Sequence, residues 1–261
     1  MYEEASKQKH KGASLHLCDN MFFLVISKTD FDDETIKLCL GFLEQVERSE
    51  GKKVLITTGP GAAKLFSTGF SLKAFSKHQM NSFETIAENQ KLLVAFLTLN
   101  VPTLCVMQGT TLAGGLIIAL CHDFRIMTTK AKVALSEIDV NLSLGLPYAQ
   151  ILHKTLGTQG LERTFLVKKL SAREAFDEGI VNGVFSDDWE LERHINSFRR
   201  EFLPKSGNRH VTKQMKLRLH AETISALLNN CMSPSQLHTL NNASVGFVKM
   251  GKKPKTEKAR L

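Results

Sequence analysis

The sequence has no apolar segment long enough to cross a bilayer, which requires about 20 consecutive apolar residues. Its longest apolar run, Leu112–Cys121, is interrupted by two glycines. Residues 1–14 are polar and lack the apolar stretch of a secretory signal, so we expect no secretory leader. With 43% hydrophobic and 23% charged residues, the composition is typical of an ordinary globular protein without a membrane span.

Cysteine is scarce and scattered. The 261 residues contain 5 cysteines, and no two of them have the CxxC or CxxH spacing of a zinc site. We therefore expect buried thiols in a reducing compartment, with no metal site and no disulfide framework.

A dinucleotide-binding fingerprint is also missing. Gly59-Pro60-Gly61 follows a predicted strand, but it lacks the spacing and the third glycine of GxGxxG, which argues against a Rossmann-type dehydrogenase. The formal net charge is +8, and much of the excess lies after residue 248. No aromatic residue follows Phe247, so we expect a solvated basic tail and no nucleic-acid partner, although a positive surface would suit a phosphate-bearing ligand.

Short apolar runs alternate with helical patterns in the first half of the chain, which predicts an α/β fold with crossover connections. The predicted strands are Leu15–Cys18, Met21–Ser27, Val54–Thr57, Thr103–Met107 and Phe124–Met127, and the helices between them begin at Asp32 and span Phe83–Leu99. Asp19-Asn20 is a hairpin signal, whereas Leu65–Leu72 is predicted to be a loop.

The later part of the chain is mostly helical in pattern. Helices are predicted at Tyr148–Leu156, at Leu161–Val167, from the capping box Ser171–Glu174, and at Trp189–Phe202. We divide the chain into a core at residues 14–200, a helical region at 201–248 and a basic tail at 249–261.

The stretch from Gln108 to Asp139 carries the strongest chemical signal. Gly114 and Gly115 lie between a strand and an apolar helix, where bare backbone N–H groups suit an oxygen with negative charge. Glu137 follows, and a carboxylate nearby can move a proton. From this stretch alone, a tight strand–helix turn with a solvated Glu137 explains the pattern equally well.

Four segments together carry a resemblance to a known family. They are Val54–Gly59 with Phe66–Leu72, Gln108–Gly115, Ala119–Asp123, and Leu170–Ala175 with Gly179–Asn182. In this order and at these spacings the chain resembles the crotonase (enoyl-CoA hydratase/isomerase) superfamily from about Phe23 to Val248. The surroundings of Glu137 are most similar to the peroxisomal Δ3,Δ2-enoyl-CoA isomerase branch of fatty-acid oxidation.

The resemblance implies an α/β spiral of ββα units, a helical C-terminal region that packs trimers, and an acyl-CoA substrate without a cofactor. It also implies an oxyanion hole formed by the backbone N–H groups of Phe70 and Gly114. By the same matching, Ser67, Gly69, Phe70 and Gly114 bind substrate, and Lys73 lies beside the CoA moiety.

Two acids distinguish the hydratases of the resembled family, and here only one is present. Relative to Asp123, the position six residues earlier is Ile117 and the position fourteen residues later is Glu137. Hydration needs two groups, whereas moving a double bond needs one base that takes a proton from C2 and returns it at C4. We therefore predict an isomerase with Glu137 as the catalytic acid/base. Asn141 departs from the usual glycine of the branch, and this leaves a catalytically inactive subunit of a larger complex as the alternative.

The remaining predictions concern the histidines, the cellular compartment and the oligomeric state. His122 lies at a helix end beside Asp123 and is interpreted as structural, whereas His153 and His78 have no local motif and are interpreted as surface or core residues. Ala259-Arg260-Leu261 is similar to the Ser-Lys-Leu peroxisomal signal, so we expect a peroxisomal import receptor as a partner, with the mitochondrion as the alternative compartment. A homotrimer or hexamer is expected from the resemblance.

Overall fold

The computed structural model describes residues 12–59, 61, 64–71, 79–137, 139, 144–166 and 169–229. Several predicted features lie outside these residues, namely Lys73, His78, Asn141, the helical region beyond residue 229 and the basic tail with Ala259–Leu261. Within the described ranges, no helix combines the length and the apolar character needed to cross a membrane.

The strands fall into three sheets. They are β1 (Ala13–Cys18), β2 (Met21–Ile26), β3 (Asp30–Phe31), β4 (Val54–Thr58), β5 (Leu65–Ser67), β6 (Gly69–Phe70), β7 (Thr103–Met107), β8 (Thr110–Leu112), β9 (Phe124–Thr128), β10 (Lys132–Ala134), β11 (Leu170–Ser171) and β12 (Gly183–Phe185). The central sheet has the order β1-β2-β4-β7-β9-β12, the second sheet has the order β11-β10-β8-β5, and β3 pairs with β6.

The hairpin predicted at the start of the chain is confirmed. Strands β1 and β2 pair antiparallel, and the two turn residues Asp19 and Asn20 have φ values of 48° and 65°. Aspartate and asparagine tolerate positive φ better than other non-glycine residues, which is why this dipeptide forms the turn. The other neighbours in the central sheet pair in parallel, as the crossover pattern predicts.

The prediction of a loop at Leu65–Leu72 is wrong for the residues that the structure describes there. Leu65–Ser67 pairs in parallel with β8, and Gly69–Phe70 pairs in parallel with β3. Strands of three and two residues are too short to establish an alternating pattern, and their partners come from distant parts of the sequence. Lys132–Ala134 escaped prediction for the same reason.

The helices are α1 (Asp33–Arg48), α2 (Gln79–Thr98), α3 (Gly114–Leu120), α4 (Leu146–Leu166), α5 (Ala172–Asp177), α6 (Asp188–Phe202), α7 (Arg209–Leu219) and α8 (Ala221–Leu228). The predicted break at Gly157 lies inside α4 as a non-helical residue with φ 64° and ψ −179°. The capping box is confirmed, because Ser171 Oγ accepts from the Glu174 backbone N–H and Glu174 accepts from Ser171 N–H.

Two hydrophobic clusters cover the two faces of the central sheet. In β4, Leu55 belongs to the cluster on the side of α1 to α3, while Val54 and Ile56 belong to the cluster that also contains residues of α6. Both faces of a largely parallel sheet are therefore buried, and this explains why its strands are continuous apolar runs in the sequence.

A partly buried ion pair ties α7 to the end of helix α3. Lys216 Nζ donates to Asp123 Oδ2 at 2.6 Å and to the carbonyl oxygen of Val101 at 2.9 Å. The same Asp123 oxygen accepts from the Thr103 backbone N–H at 2.8 Å and from its hydroxyl at 3.0 Å. Since truncating one partner would leave the other as an uncompensated, partly buried charge, this cluster anchors the helix that begins at Gly114.

Candidate active site

Two turns from distant parts of the chain meet through their backbones. A Cβ atom built on Gly69 would lie 2.6 Å from the backbone nitrogen of Gly114 and 2.8 Å from that of Gly115. A Cβ atom on Gly115 would lie 2.7 Å from Oγ of Ser67. Gly69 also has a φ of 87°, which favours glycine. The close contact of the two turns therefore requires glycine at these positions.

The contact brings together the two backbone groups predicted to form an oxyanion hole. Gly114 is the first residue of α3, so its N–H has no partner within the helix. A Cβ atom on Gly114 would lie 3.3 Å from the backbone nitrogen of Phe70 and 2.9 Å from Cδ2 of its ring. The amides of Phe70 and Gly114 are thus neighbours, and their role toward a ligand stays a prediction.

Ala113 holds the peptide before Gly114 in an unusual conformation. Its φ of 51° and ψ of −132° lie in a region that residues with a Cβ rarely adopt. Its N–H donates to the carbonyl oxygen of Ala134 at 2.9 Å, and its own carbonyl oxygen accepts from the N–H groups of Leu116 and Ile117. Backbone strain of this kind is concentrated at functional sites, and nothing in the sequence pattern indicated it.

The segment that carries Glu137 leaves the second sheet at the same edge as the segment that carries Gly114. Strands β8 and β10 run in parallel with Leu112 opposite Ala134, so the segments carrying Gly114 and Glu137 emerge side by side. The Glu137 residue is only 8% exposed, and Oε2 has no hydrogen-bond partner among the residues that the structure describes. The interpretation of Glu137 as a solvated side chain is therefore wrong.

Burial changes the proton affinity of this carboxyl group. Removal from water raises the pKa of Glu137 from its ordinary value of 4.5 to about 7, against the opposing effect of hydrogen bonds from the backbone of Glu137 and Ser136. At neutral pH the group is therefore poised between carboxylate and carboxylic acid. A group in this state can accept a proton and give it back.

Comparison with known protein families shows which family the chain belongs to. The profile of the family described as enoyl-CoA hydratase/isomerase matches residues 28–256. The chain belongs to the enoyl-CoA hydratase/isomerase family. The predicted family and α/β crotonase fold are thereby confirmed, and so is the prediction of an enzyme.

The relatives of the chain within this family include named isomerases. It is 35% identical to the peroxisomal enoyl-CoA delta isomerase 2 of Arabidopsis thaliana over 61% of this chain and 70% of that protein. It is 34% identical to enoyl-CoA delta isomerase 3 of the same plant, over 66% of this chain and 76% of the relative. The crystal structure of enoyl-CoA hydratase from Bacillus halodurans has a TM-score of 0.75 at 15% identity, covering 90% of this chain and 95% of that one, which shows the common fold.

Glu137 has no acidic companion at the position where hydratases of the resembled family carry one. Ile117 occupies it, in the middle of α3, and its side chain is fully enclosed in the hydrophobic core. Asp139, two residues beyond Glu137, is exposed. In the part of the chain that the structure describes, Glu137 is the one carboxylate classed as buried.

His122 is a structural residue, in agreement with its prediction. Its Nδ1 lies 3.0 Å from the carbonyl oxygen of Ile118 and so donates, which leaves Nε2 to accept from the hydroxyl of Thr57 at 2.8 Å. Burial lowers the pKa of His122 to about 4, and the ring packs on Phe96. His153 is exposed and bonds Thr158.

Three of the described cysteines are buried thiols, as expected from the sequence. Cys39, Cys105 and Cys121 are buried free thiols, and burial raises the pKa of Cys39 and Cys105 to about 12. Over the described ranges, no cluster of three or more His, Cys, Asp or Glu side chains is arranged to hold a metal ion.

We expect Glu137→Gln to stabilise the protein at about pH 8 more than at about pH 4. Because the pKa of Glu137 is higher in the folded state than in the unfolded chain, its contribution to stability is fully present below about 4.5 and is lost as the pH rises through about 7. One pKa unit corresponds to about 1.4 kcal/mol, so the change is on the order of 3 kcal/mol. Chemical denaturation at a series of pH values measures it.

The matched control for this stability measurement is Asp139→Asn, which removes an exposed carboxylate two residues away. This variant should follow the wild-type pH dependence. A free-energy difference between wild type and Glu137→Gln that stays constant across this pH range would contradict the burial of an ionising Glu137.

Proposed function

We propose that this protein is a Δ3,Δ2-enoyl-CoA isomerase, which moves a double bond in an unsaturated fatty acyl-CoA through an enolate. One observation carries the proposal: Glu137, a buried carboxyl group of raised pKa, lies in a segment that leaves the second sheet at the same edge as Gly114, whose backbone N–H neighbours that of Phe70. The relatives named enoyl-CoA delta isomerase support the same reaction.

The paired amides would stabilise the charge that the reaction develops. Removal of a proton from C2 shifts the electron pair of that C–H bond toward the thioester carbonyl and places negative charge on its oxygen. Two fixed N–H donors, from Phe70 and Gly114, would bind that oxygen, and comparable donors contribute about 3 kcal/mol each. The N–H of Gly114 also lies at the positive end of α3.

Glu137 would carry the proton between the two carbons. As a carboxylate it takes the proton from C2, and as a carboxylic acid it returns the proton to C4 while the double bond moves to C2–C3. Its raised pKa reduces the difference from the pKa of the C2–H group, which is a weak carbon acid. Its burial limits exchange of the transferred proton with water. Substrate and product are isomers, so the step requires no cofactor.

Hydration of the double bond fits the site less well. It requires one group to activate water and another to deliver a proton. Ile117 provides neither, and the other carboxylate near Glu137 in the described chain, Asp139, is exposed. A catalytically inactive subunit is the second alternative. The burial of Glu137, with Oε2 unpaired in the described structure, favours an enzyme, because an inactive subunit gains no stability from an unpaired buried carboxyl group.

The oligomer and the further substrate contact remain part of this proposal. Val211, Met215 and Leu219 follow each other at four-residue intervals along α7, and all three are exposed. Such a stripe supports self-association into a homotrimer or hexamer. Lys73, outside the described residues, stays the predicted contact to CoA.

We expect Glu137→Gln to bind acyl-CoA normally and to lose about 10³-fold in isomerisation rate, because the amide cannot accept the C2 proton. In the wild type, kcat/KM should rise with pH through about 7 as the carboxyl group of the free enzyme ionises. Conversion of a 3-enoyl-CoA to the conjugated 2-enoyl-CoA, followed by absorbance, measures both. Asp139→Asn is the control and should keep its rate; substantial turnover in Glu137→Gln would exclude Glu137 as the base.

We expect Gly114→Ala to lower kcat/KM by about 10²-fold through the loss of one oxyanion donor. The new Cβ would lie 2.9 Å from the Phe70 ring, so the ring and the helix terminus must move apart. Gly41→Ala is the matched control, since a Cβ on this residue of α1 meets nothing within 4 Å. Equal kinetics in the two folded variants would count against the oxyanion hole.

We also propose that the protein is imported into peroxisomes through Ala259-Arg260-Leu261. A peroxisomal relative supports this compartment, while a mitochondrial dienoyl-CoA isomerase of Mus musculus, 28% identical over 49% of this chain, keeps the alternative open. A fluorescent reporter carrying the last dozen residues should collect in peroxisomes. If it is as diffuse as the same reporter extended by one glycine, the signal is excluded.

A further inference from the structure

Ser67 closes the turn that presents Phe70. Its side chain is only 1% exposed, and its Oγ accepts a hydrogen bond from the backbone N–H of Gly69 at 3.0 Å. The bond spans two residues and fixes Gly69 at a φ of 87°. Since glycine has the largest conformational freedom of any residue, this acceptor determines which of its conformations the turn adopts.

The same serine contacts the other half of the site. A Cβ on Gly115 would lie 2.7 Å from both Cβ and Oγ of Ser67 and 3.1 Å from its carbonyl oxygen. Ser67 is therefore enclosed between its own turn and the first turn of α3, which begins at Gly114. Its side chain therefore contacts both backbones close to the point where they meet.

The neighbouring amides leave little freedom to the peptide of Phe70. Thr68 N–H donates to the carbonyl oxygen of Thr29 at 2.7 Å, and Ser71 N–H donates to that of Phe31 at 3.0 Å. With Gly69 N–H held by Ser67, the amides before and after Phe70 are fixed. The direction of the Phe70 N–H follows from these bonds, and the bond to Ser67 is the one that depends on a side chain.

We propose that Ser67 is a positioning residue for the thioester oxygen, which acts by aiming the Phe70 N–H and does not touch the substrate. This inference rests on the proposed acyl-CoA function. The resemblance implies that Ser67 binds substrate, whereas this inference gives it an indirect role. Its buried hydroxyl oxygen already accepts a hydrogen bond from Gly69 and therefore supports the turn. Hydrogen bonds weaken steeply as their angle departs from linearity, so a small rotation of this peptide reduces carbonyl polarisation.

The test compares three variants of the full-length chain with wild type. Ser67→Ala removes the acceptor, and Ser67→Cys replaces it with the weaker acceptor sulfur. Ser206→Ala is the matched control. Ser206 is fully buried, and its Oγ donates to the carbonyl oxygen of Leu203 at 2.8 Å, in a short helix away from the two turns.

The probe is dimethylaminocinnamoyl-CoA, a conjugated thioester whose absorption moves to longer wavelength when its carbonyl oxygen is polarised. In Ser67→Ala, we expect most of this red shift to be lost and kcat to fall by about 10-fold or more, with the probe's dissociation constant and the KM nearly unchanged. Ser67→Cys should be intermediate in both. Ser206→Ala should keep the red shift and kcat even if its melting temperature falls.

Each outcome tests either the role of Ser67 or the proposed reaction. A full red shift in folded Ser67→Ala would overturn the inference, and if that variant does not fold, a full red shift in Ser67→Cys would do the same. A red shift in the wild type without isomerase turnover would refute the proposed reaction, while the three variants would still test the role of Ser67. Absence of a red shift in the bound wild type would overturn the inference, because the site would then lack an oxyanion hole.

Discussion

The turn at Gly69 touches the first turn of α3 through backbone atoms, and the geometry of the site depends on this contact. Without a Cβ at Gly69, Gly114 or Gly115, the two main chains come close enough for the amides of Phe70 and Gly114 to be neighbours. Strands β5 and β6 carry one turn and β8 leads into the other, so two short strand pairings, β5 with β8 and β6 with β3, set the separation. Ser67 occupies the space between them.

Opposing effects at Glu137 determine the chemistry that this frame can support. Desolvation raises the pKa of the carboxyl group, while backbone hydrogen bonds oppose the change, and the net result places the pKa near neutrality. Parallel pairing of β8 with β10 brings Glu137 to the same edge of the sheet as Gly114. Enolate chemistry requires two parts: a fixed pair of hydrogen-bond donors for the oxyanion, and an acid/base group that can both accept and donate a proton.

Sequence patterns predicted the parts of this structure that are governed by local physics. The buried strand at Val54, the turn at Asp19 and the capping box at Ser171 each carry a signal within a few residues. The paired glycines at Gly114 predicted the helix terminus for the same reason. Contacts between distant segments left no such signal. The strand at Gly69 is defined by its pairing with β3, and the burial of Glu137 results from packing that its polar neighbour Ser136 does not indicate.

The central claim is that one buried carboxyl group both removes and returns the proton. The most direct measurement uses a 3-enoyl-CoA that carries deuterium at C2, converted by the wild-type protein in ordinary water, with deuterium at C4 of the product read by mass spectrometry. We predict that part of the label reaches C4, because Glu137 holds it in a site with little access to water. Complete loss of the label to solvent in every turnover would contradict transfer by a single enclosed group.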